Sequence, residues 1–423
     1  MNTEVTERFE YASKAYWGAL GFTGLDAFLY EKPPKHNVLR WYAFRIIYIY
    51  FVFVHYPIFI TMQFWGIVTA ESHTLMQISF DISLMGYNIQ NIIKLLIWMI
   101  RIKTVRSLRL NFSKFNVNKY RPKLSSWIIK RDAENALKFT GRCYWISYAN
   151  LLFWVVLPTA TAIINYSTYL AGYADWQEND FPRYSNTRFP FDLSQHRSQV
   201  IVSFLEVILF TLGFMSFQSM DMFFSVIIRM AQAQFSVLNS ALFALDGELD
   251  KFWGTEVPVN DCKPPMKIHL IVQDHQRMIR YGVRLRKFLS PILGLETLNC
   301  ITIICNMTIV ASSQVSGGGE FLEVALAAFA SSLVVITCLV VFFTFTSMTG
   351  QLKDAEESVF YAMYSSKWYE RDVSHRKSII LMQKQAMTSR RIKMFGLGDM
   401  GRSTFIDGLR MVYTYYNFMQ RFK

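Results

Sequence analysis

Five polar side chains near the C-terminus have the spacing of one face of a helix. Asp407, Arg410, Thr414, Asn417 and Arg421 follow one another at intervals of three, four, three and four residues. Most side chains between them are apolar or aromatic, so the pattern predicts a helix with one polar stripe over residues 403–422. At 1.5 Å per residue this helix is about 28 Å long, close to the thickness of a membrane hydrocarbon core.

A polar stripe on a helix of this length needs water or protein beside it, because lipid offers no hydrogen bonds. The chemistry that it suggests is the passage of ions along a wet pore wall. An amphipathic helix lying on the membrane surface fits the same spacing. The terminal helix alone leaves both interpretations open, so the rest of the chain must decide between them.

The sequence contains no second group of residues with the spacing of a catalytic or metal site. No two of the seven histidines form an HExxH motif, and no two of the five cysteines form CxxC. GxSxG, P-loop and GxGxxG motifs are absent, and the three glycines at residues 317–319 read as a tight loop. Glu206 and Glu296 fall in apolar segments. Each is either a residue on an ion or substrate pathway or a paired acid within the helix bundle. We therefore expect no enzyme, no cofactor and no metal site.

The composition predicts that these elements lie in a membrane. Apolar residues make up 52% of the 423 residues and aromatic residues 16%, whereas charged residues make up only 18%. These values are typical of a polytopic membrane protein. Six further apolar segments, with the terminal helix, predict seven membrane crossings. The six cover residues 41–68, 74–100, 144–170, 200–228, 288–312 and 321–350.

The distribution of charge predicts the orientation. The net charge of +13 could suggest a nucleic-acid partner, but the cations gather in particular loops, so we expect none. Residues 101–142 hold twelve Lys or Arg against two acids, Asp132 and Glu134, and basic stretches also follow the fourth and sixth segments. Cytoplasmic loops carry this excess of cations. The predicted fold class is an all-α polytopic membrane protein with seven transmembrane helices, a cytoplasmic N-terminus and a cytoplasmic helical bundle.

Four regions follow from this topology. They are a cytoplasmic segment (1–39), helices one to six with cytoplasmic extensions (40–350), cytoplasmic anchor helices (351–402) and the seventh helix (403–423). A G-protein-coupled receptor also has seven crossings, but the sequence lacks Asp-Arg-Tyr after the third segment and Asn-Pro-x-x-Tyr in the seventh. A transporter predicts two related halves with broken helices, which the sequence does not show. Both are kept as alternatives.

The terminal stretch resembles the signature of one family, the insect odorant receptors. Residues 403–419 (STFIDGLRMVYTYYNFM) share its Thr-Phe start and its Leu-Arg pair. They carry Tyr-Thr-Tyr-Tyr where the family has Tyr-Ser-Tyr-Phe, and depart from its leucine-rich end. Residues 362–369 (AMYSSKWY) keep the spacing of the family's Ala-x-Tyr-x-x-x-Trp-Tyr, and residues 189–192 (FPFD) are similar to its outer-loop Pro-Phe-Asp.

The resemblance implies a tetrameric, ligand-gated, non-selective cation channel in the plasma membrane of olfactory sensory neuron dendrites. In that family the seventh helix lines the pore, and a small volatile odorant binds in the outer half of the membrane. The chain lacks the long insertion between helices four and five of the shared co-receptor. It therefore looks like an odour-tuning subunit that forms a heterotetramer with the insect odorant co-receptor. The family's gate falls near Val412 and Tyr413. From the polar stripe we take Asn417 as a further pore residue in preference to Arg410 and Arg421, because an arginine on the pore axis would oppose the passage of cations.

A neutral volatile needs an apolar, aromatic cavity with one or two polar groups. Helices two, three, four and six supply candidates, each of which could instead pack in the core or against lipid. The set holds no fixed charge, which favours neutral ligands, although Asp81 leaves an amine open. The candidates are Phe80, Leu84 and Tyr87 on helix two, Tyr148, Phe153 and Leu157 on helix three, Phe204 and Ile208 on helix four, and Phe329 and Ser332 on helix six.

Overall fold

A computed structural model gives the fold of most of the chain. It describes residues 20, 23–29, 38–69, 75–108, 114–120, 122–172, 196–245, 266–316, 321–388, 391–396 and 398–420. The outer-loop motif at 189–192, Cys262 and Arg421 lie outside the described residues. Most of the described residues are helical, which confirms the predicted helical class.

The first half of the chain forms helices of moderate length. A short 3-10 turn (Leu25–Phe28) comes first, and two π turns, Phe51–His55 and Leu152–Val156, interrupt the later helices. The helices are α1 (Val38–Tyr50), α2 (Tyr56–Thr69), α3 (Leu75–Ile100), α4 (Ile102–Leu108), α5 (Asn116–Tyr120), α6 (Pro122–Leu151) and α7 (Leu157–Leu170).

Each π turn ends two residues before a proline, Pro57 in one case and Pro158 in the other. Proline has no N–H to donate, and its ring crowds the carbonyl group four residues earlier. A π turn directs its hydrogen bonds to the fifth residue back, so it widens the helix where that crowding would occur. A π turn holds one residue more than an α-helical turn. This additional residue rotates all following side chains by about 100° around the helix axis.

Three long helices make the centre of the molecule. They are α8 (His196–Phe243, 48 residues), α9 (Ile268–Ser316, 49 residues) and α10 (Phe321–Tyr364, 44 residues). At 1.5 Å per residue they are about 66–74 Å long, more than twice a hydrocarbon core. α9 packs along α10, α3 and α8, and α6 packs on α8. The predicted segments 200–228, 288–312 and 321–350 are therefore parts of longer rods.

Among the described residues, four helical stretches are long and apolar enough to cross a membrane. They are Val38–Thr69, Ser198–Phe243, Ile268–Ser313 and Ala328–Tyr364. They correspond to the predicted segments one, four, five and six. The predicted segments two, three and seven also lie in helices as far as the structure describes them, but they are not among these four stretches.

The buried side chains are concentrated towards one end of the bundle. The main core joins the C-terminal halves of α3, α8 and α10 to the N-terminal halves of α6 and α9, around residues such as Trp98, Phe224 and Phe288. A second, smaller cluster at the other end centres on Ile303, Met307 and Val310. Large apolar side chains of α1, the first π turn and α2, Phe53 and Trp65 among them, point away from the protein. An apolar surface of this kind is typical of contact with lipid.

The C-terminal part turns back onto the bundle. After α11 (Val373–Met387), strands β1 (Lys393–Met394) and β2 (Gly398–Asp399) pair antiparallel, with Lys393 opposite Asp399. Phe395 has a φ of 49°, and its ring lies so close to Gly294 of α9 that a Cβ there would be 2.7 Å from it. The hairpin thus packs against α9 through Phe395, and the last helix, α12 (Arg402–Gln420), follows it. The Thr404 hydroxyl donates to the Asp399 carbonyl (2.8 Å), which ties α12 to β2.

Candidate functional site

A cavity of about 160 Å³ lies between five helices at the less densely packed end of the bundle. α3 provides one wall, the end of α6 and the second π turn a second, and α8, α9 and α10 the rest. Nearly all of the lining side chains are apolar or aromatic. They are Phe80, Ser83, Leu84, Tyr87, Asn150, Leu151, Trp154, Val155, Phe210, Phe214, Ile303, Met307 and Val334.

Two stacked aromatic rings form one wall of the cavity. The Phe80 ring on α3 and the Trp154 ring in the π turn have centroids 5.4 Å apart and planes tilted by 26°. The Trp154 indole N–H donates to the Ala330 carbonyl of α10 at 3.1 Å. Because this bond satisfies the only polar atom of the ring, Trp154 presents an apolar face to the cavity. Three helices therefore hold the wall in place.

The cavity contains few polar groups. The Ser83 hydroxyl donates to the Ser79 carbonyl of its own helix at 2.8 Å. The Asn150 Oδ1 atom and the Tyr87 hydroxyl are buried, and neither finds a hydrogen-bond partner among the described residues. An unsatisfied buried polar group costs free energy, which a ligand with a polar group would recover. The site can thus bind an apolar molecule and orient it by one or two hydrogen bonds.

The structure brings together three of the ten candidates from the sequence and places the others elsewhere. Phe80, Leu84 and Tyr87 line the cavity. Tyr148 lies edge-on to the lining residue Phe214, with ring centroids 6.2 Å apart. Phe153 packs edge-on against Phe329 at 5.2 Å. Tyr148 therefore lies beside the cavity, whereas Phe153 and Phe329 contact each other outside its lining.

Three of the remaining four candidates are exposed. Phe204 and Ile208 on α8 are exposed, Phe204 at 63%. Ser332 on α10 is also exposed, and its hydroxyl donates to the Ala328 carbonyl. The side chain of Leu157 lies outside the described part of the chain. Asp81 is buried on α3, but it does not line this cavity.

Sequence reasoning missed most of the far wall. Asn150, Trp154, Phe210, Phe214 and Met307 line the cavity but were not among the candidates. Asn150, Leu151, Trp154 and Val155 have the spacing of one helix face. A helical period started at Leu151 instead of Phe153 would therefore have found Trp154.

A buried ionic cluster lies one to two helical turns from the cavity. The Lys94 ammonium of α3 lies 2.7 Å from Asp221 Oδ1 of α8, and it also contacts Glu296 of α9. The Gln90 amide donates to Glu296 at 2.6 Å. Glu206 and Glu296, the acids predicted in apolar segments, are both confirmed as buried. One cation between two carboxylates, joined by an amide, stabilises charges that could not otherwise lie in the bundle.

Phe217 connects this cluster to the cavity. Its ring lies 3.5 Å from the Lys94 ammonium and 5.1 Å from the centroid of Tyr87, which lines the cavity. The first contact is a cation–π interaction. A displacement of Tyr87 by a ligand would therefore act on Phe217 and, through it, on the charged cluster.

The last helix, α12, contacts its own chain along a narrow face. Phe405 packs against Phe342 and Phe343 of α10, with ring centroids 5.3 and 5.4 Å apart. Gly408 approaches Phe342 so closely that a Cβ there would lie 2.6 Å from its ring. Val412 is half-buried on the same side of the helix.

The other side of α12 faces away from the chain. Tyr413 is 68% exposed, and Asn417, Arg410 and Thr414 are exposed as well. The Arg410 guanidinium lies 3.3 Å from the Asp407 carboxylate, one helical turn away. The structure thus separates Val412 from Tyr413 and Asn417, and leaves the polar stripe, as far as Asn417, on the free side of the helix.

The residues that the structure describes include no group of three His, Cys, Asp or Glu side chains placed to hold a metal ion. Among the described residues, the polar chemistry of the cavity comes from the Tyr87 hydroxyl and the Asn150 oxygen, and the charged cluster lies beside it.

Comparison with known proteins identifies the family. The family model described as 7tm Odorant receptor matches residues 85–413, most of the chain. A search by sequence alone finds no match among curated proteins. Two solved structures of the insect olfactory receptor OR5 from Machilis hrabei match the fold. The complex with eugenol has a TM-score of 0.75 at 13% identity, covering 98% of this chain and 100% of that one. The other structure has a TM-score of 0.74 at 14% identity, with the same coverage.

The family match includes α3 from residue 85 onward, the whole of α6 to α11 and most of α12, and therefore most of the cavity, the charged cluster and the last helix. The predicted resemblance to insect odorant receptors is thereby confirmed. This chain belongs to the 7tm odorant receptor family.

Proposed function

We propose that this receptor is the odour-tuning subunit of a heteromeric, ligand-gated, non-selective cation channel. A small neutral volatile binds in the helix bundle and opens a pore to which the last helix contributes. The observation that carries the proposal is the apolar cavity walled by Phe80 and Trp154, in a chain of the odorant receptor family. The partner in the heterotetramer is the insect odorant co-receptor, and the site of action is the plasma membrane of the sensory dendrite.

The proposed topology has seven crossings with a cytoplasmic N-terminus. Residues 1–39 and the anchor helices of 351–402 lie in the cytoplasm, residues 40–350 hold helices one to six, and 403–423 form the seventh. The basic segment at 101–142 supports this orientation. In this orientation the cavity faces the outer half of the membrane, whereas the dense core and the long helical extensions lie towards the cytoplasm.

The size and lining of the cavity suggest the class of ligand. An apolar cavity of about 150 Å³ in another protein admits benzene, so about 160 Å³ suits a compact ring or a short chain. The free Oδ1 of Asn150 favours a ligand with one hydrogen-bond donor, such as an alcohol or a phenol. Eugenol, the ligand in the structure of the Machilis receptor, is a phenol, but this chain shares only 13% identity with that protein. Ligand contacts are proposed for Phe80, Leu84 and Tyr87 first, and for the other candidates as flanking residues.

The pore is proposed to include Tyr413 and Asn417. Both lie on the free side of α12, where neighbouring subunits would complete a conduit. Val412, half-buried towards α10, is placed to transmit movement of the bundle to the gate rather than to line the axis.

Current recorded from excised patches tests the proposal. The chain is expressed with an insect co-receptor, and a panel of neutral volatiles is applied without GTP. Odorant-dependent cation current that requires both chains is the expected result, with each chain expressed alone as the control. Odorant-dependent signalling that requires GTP and carries no direct current would instead support the G-protein-coupled alternative.

A further inference from the structure

A second concave site lies far from the cavity, on the N-terminal half of α9. The groove has a volume of about 880 Å³. Five of its seven lining residues are cations, and the other two are aliphatic. The lining residues are Lys114, Lys119, Arg277, Ile279, Arg280, Val283 and Arg284. No step of odorant binding or gating described above uses them.

The fold brings these cations together from two separate segments. Arg277, Arg280 and Arg284 are spaced by three and four residues, so they lie on one face of α9. Lys114 and Lys119 belong to the segment around the short helix α5, and the Arg277 guanidinium donates to the Lys114 carbonyl at 2.6 Å, across 163 residues of sequence. Two basic segments thus converge on one groove.

Hydrogen bonds fix the two walls relative to each other. The Val117 N–H of α5 donates to the buried Asp274 carboxylate of α9 at 2.8 Å. The Asn116 amide donates to Gln273 at 3.3 Å. The groove is therefore built before any ligand arrives, which lowers the entropy cost of binding.

The charge of the groove is poorly balanced. Asp274 pairs with Arg277 at 2.9 Å. Within the described ranges, Lys119, Arg280 and Arg284 have no acidic partner, and all three are exposed. Gathering like charges around a concave surface costs free energy when it is empty and attracts polyanions. Two guanidinium groups also match phosphate oxygens, each with two parallel hydrogen bonds.

The position of the groove indicates where the anion comes from. Arg284 lies four residues before residue 288, where the predicted fifth membrane segment begins. Basic pockets beside the cytoplasmic ends of membrane helices suit the phosphorylated headgroups of inner-leaflet lipids. Cytoplasmic loops in general are rich in Lys and Arg, which would explain the number of cations here. It would not explain why cations from two distant segments of the sequence line the same preformed groove.

We propose that this groove binds the headgroup of a multiply phosphorylated inositol phospholipid from the cytoplasmic leaflet. The proposal rests on the orientation given under the proposed function. A soluble polyphosphate, such as an inositol phosphate, has the same headgroup chemistry, so the test must separate the two sources. A lipid with one net negative charge, such as phosphatidylserine, would leave most of the cations unmatched.

The test measures ligand binding to the full chain, purified in uncharged detergent. The probes are dioctanoyl phosphatidylinositol 4,5-bisphosphate, inositol 1,4,5-trisphosphate and dioctanoyl phosphatidylserine. The groove variant carries Arg280→Gln and Arg284→Gln. The matched control carries Arg376→Gln and Lys377→Gln, which remove the same charge from exposed positions of α11. Elution volume and thermal unfolding without ligand establish that both variants are folded.

We expect the wild-type chain and the control to bind the bisphosphate lipid, and the groove variant to bind it about tenfold more weakly or worse. Equal binding by the groove variant and the control would overturn the site. Equal affinity for phosphatidylserine would mean that the groove attracts any anionic lipid, which overturns the proposed headgroup specificity. Inositol trisphosphate binding as tight as that of the bisphosphate lipid would overturn the proposal that the ligand is a lipid. Binding is measured without odorant, so a failure of the odorant-gated channel would not affect the result. A protease or epitope test that places Arg280 outside the cell would remove the basis for an inner-leaflet ligand.

Discussion

The Nζ atom of Lys94 lies 2.7 Å from the Oδ1 atom of Asp221, and solvent reaches neither side chain. Glu296 contacts the same ammonium group, so removing the lysine would leave two carboxylates buried together. We expect Lys94→Met to lower the free energy of unfolding by about 3–5 kcal/mol, the usual cost of an uncompensated buried charge. Thermal unfolding of the purified chain and the amount of protein at the cell surface measure this loss.

An exposed pair provides the control for this prediction. Lys353 and Glu357 on α10 are 2.7 Å apart but partly open to solvent, so Lys353→Met should cost less than about 1 kcal/mol. Adding Asp221→Asn and Glu296→Gln to Lys94→Met should recover most of the loss, because it removes the unpaired charges. Equal effects of the two lysine substitutions would mean that the cluster contributes no more than a surface pair.

The second prediction concerns the aromatic wall of the cavity. Phe80→Ala removes the ring that stacks on Trp154. We expect the odorant concentration for half-maximal current to rise about fivefold, because one aromatic contact contributes on the order of 1 kcal/mol. Phe204→Ala, at an exposed site on α8, is the control and should change it less than about twofold. A larger effect of Phe204→Ala than of Phe80→Ala would place the ligand at the exposed side of α8 around Phe204, which the sequence alone gives as a candidate.

The third prediction concerns the gate. Tyr413 is largely exposed on α12, so Tyr413→Ala should not unfold the chain. If its ring narrows the pore, the substitution raises the basal current or alters the permeability ratio of cations. Met411→Ala removes similar apolar bulk from another side of the same helix and should change neither. Identical currents in wild type and Tyr413→Ala would move the gate elsewhere.

The fourth prediction concerns the contact between α12 and α10. A Cβ at Gly408 would lie 2.6 Å from the Phe342 ring, so Gly408→Val must push the last helix away. We expect a lower unfolding temperature and a loss of odorant-gated current, with part of both restored by Phe342→Ala. A Cβ added at Gly141 in α6 would meet none of the described neighbouring groups within 4 Å. Gly141→Ala should therefore be neutral or stabilising by up to about 1 kcal/mol.

The sequence was sufficient for the helices but not for their lengths. Apolar composition locates all seven predicted segments within helices, because lipid and core both demand apolar side chains. Composition does not show that Ile268–Ser316 is one continuous helix. Residues 268–287, which precede the apolar segment 288–312, are amphipathic and basic. The helix continues there because its apolar face, which includes Ile271, Met278 and Leu285, packs against α5, α8 and α10.

The cavity could be predicted only on its regular side. Phe80, Leu84 and Tyr87 are spaced by four and three residues on α3, and all three line it. On the opposite side, Leu151, Trp154 and Val155 share one helix face and Phe153 lies on a neighbouring face, and because both faces are apolar and aromatic, periodicity does not tell which of them faces inward. On α8, the exposed Phe204 and the lining residue Phe210 are both aromatic residues on an apolar helix, and periodicity does not tell which of them faces inward.

The length of α9, which continues through Pro291, has a mechanical consequence. One end of this 49-residue helix contributes Ile303 and Met307 to the cavity, and the other carries the basic groove. The charged cluster at Glu296 lies between them and would serve as a fulcrum. If the rod tilts by about 5° there, Met307 moves by about 1.5 Å and the N-terminal end, about 42 Å from the fulcrum, moves by about 4 Å. A small displacement by a ligand would thus reach the N-terminal end of this lever enlarged about two and a half times.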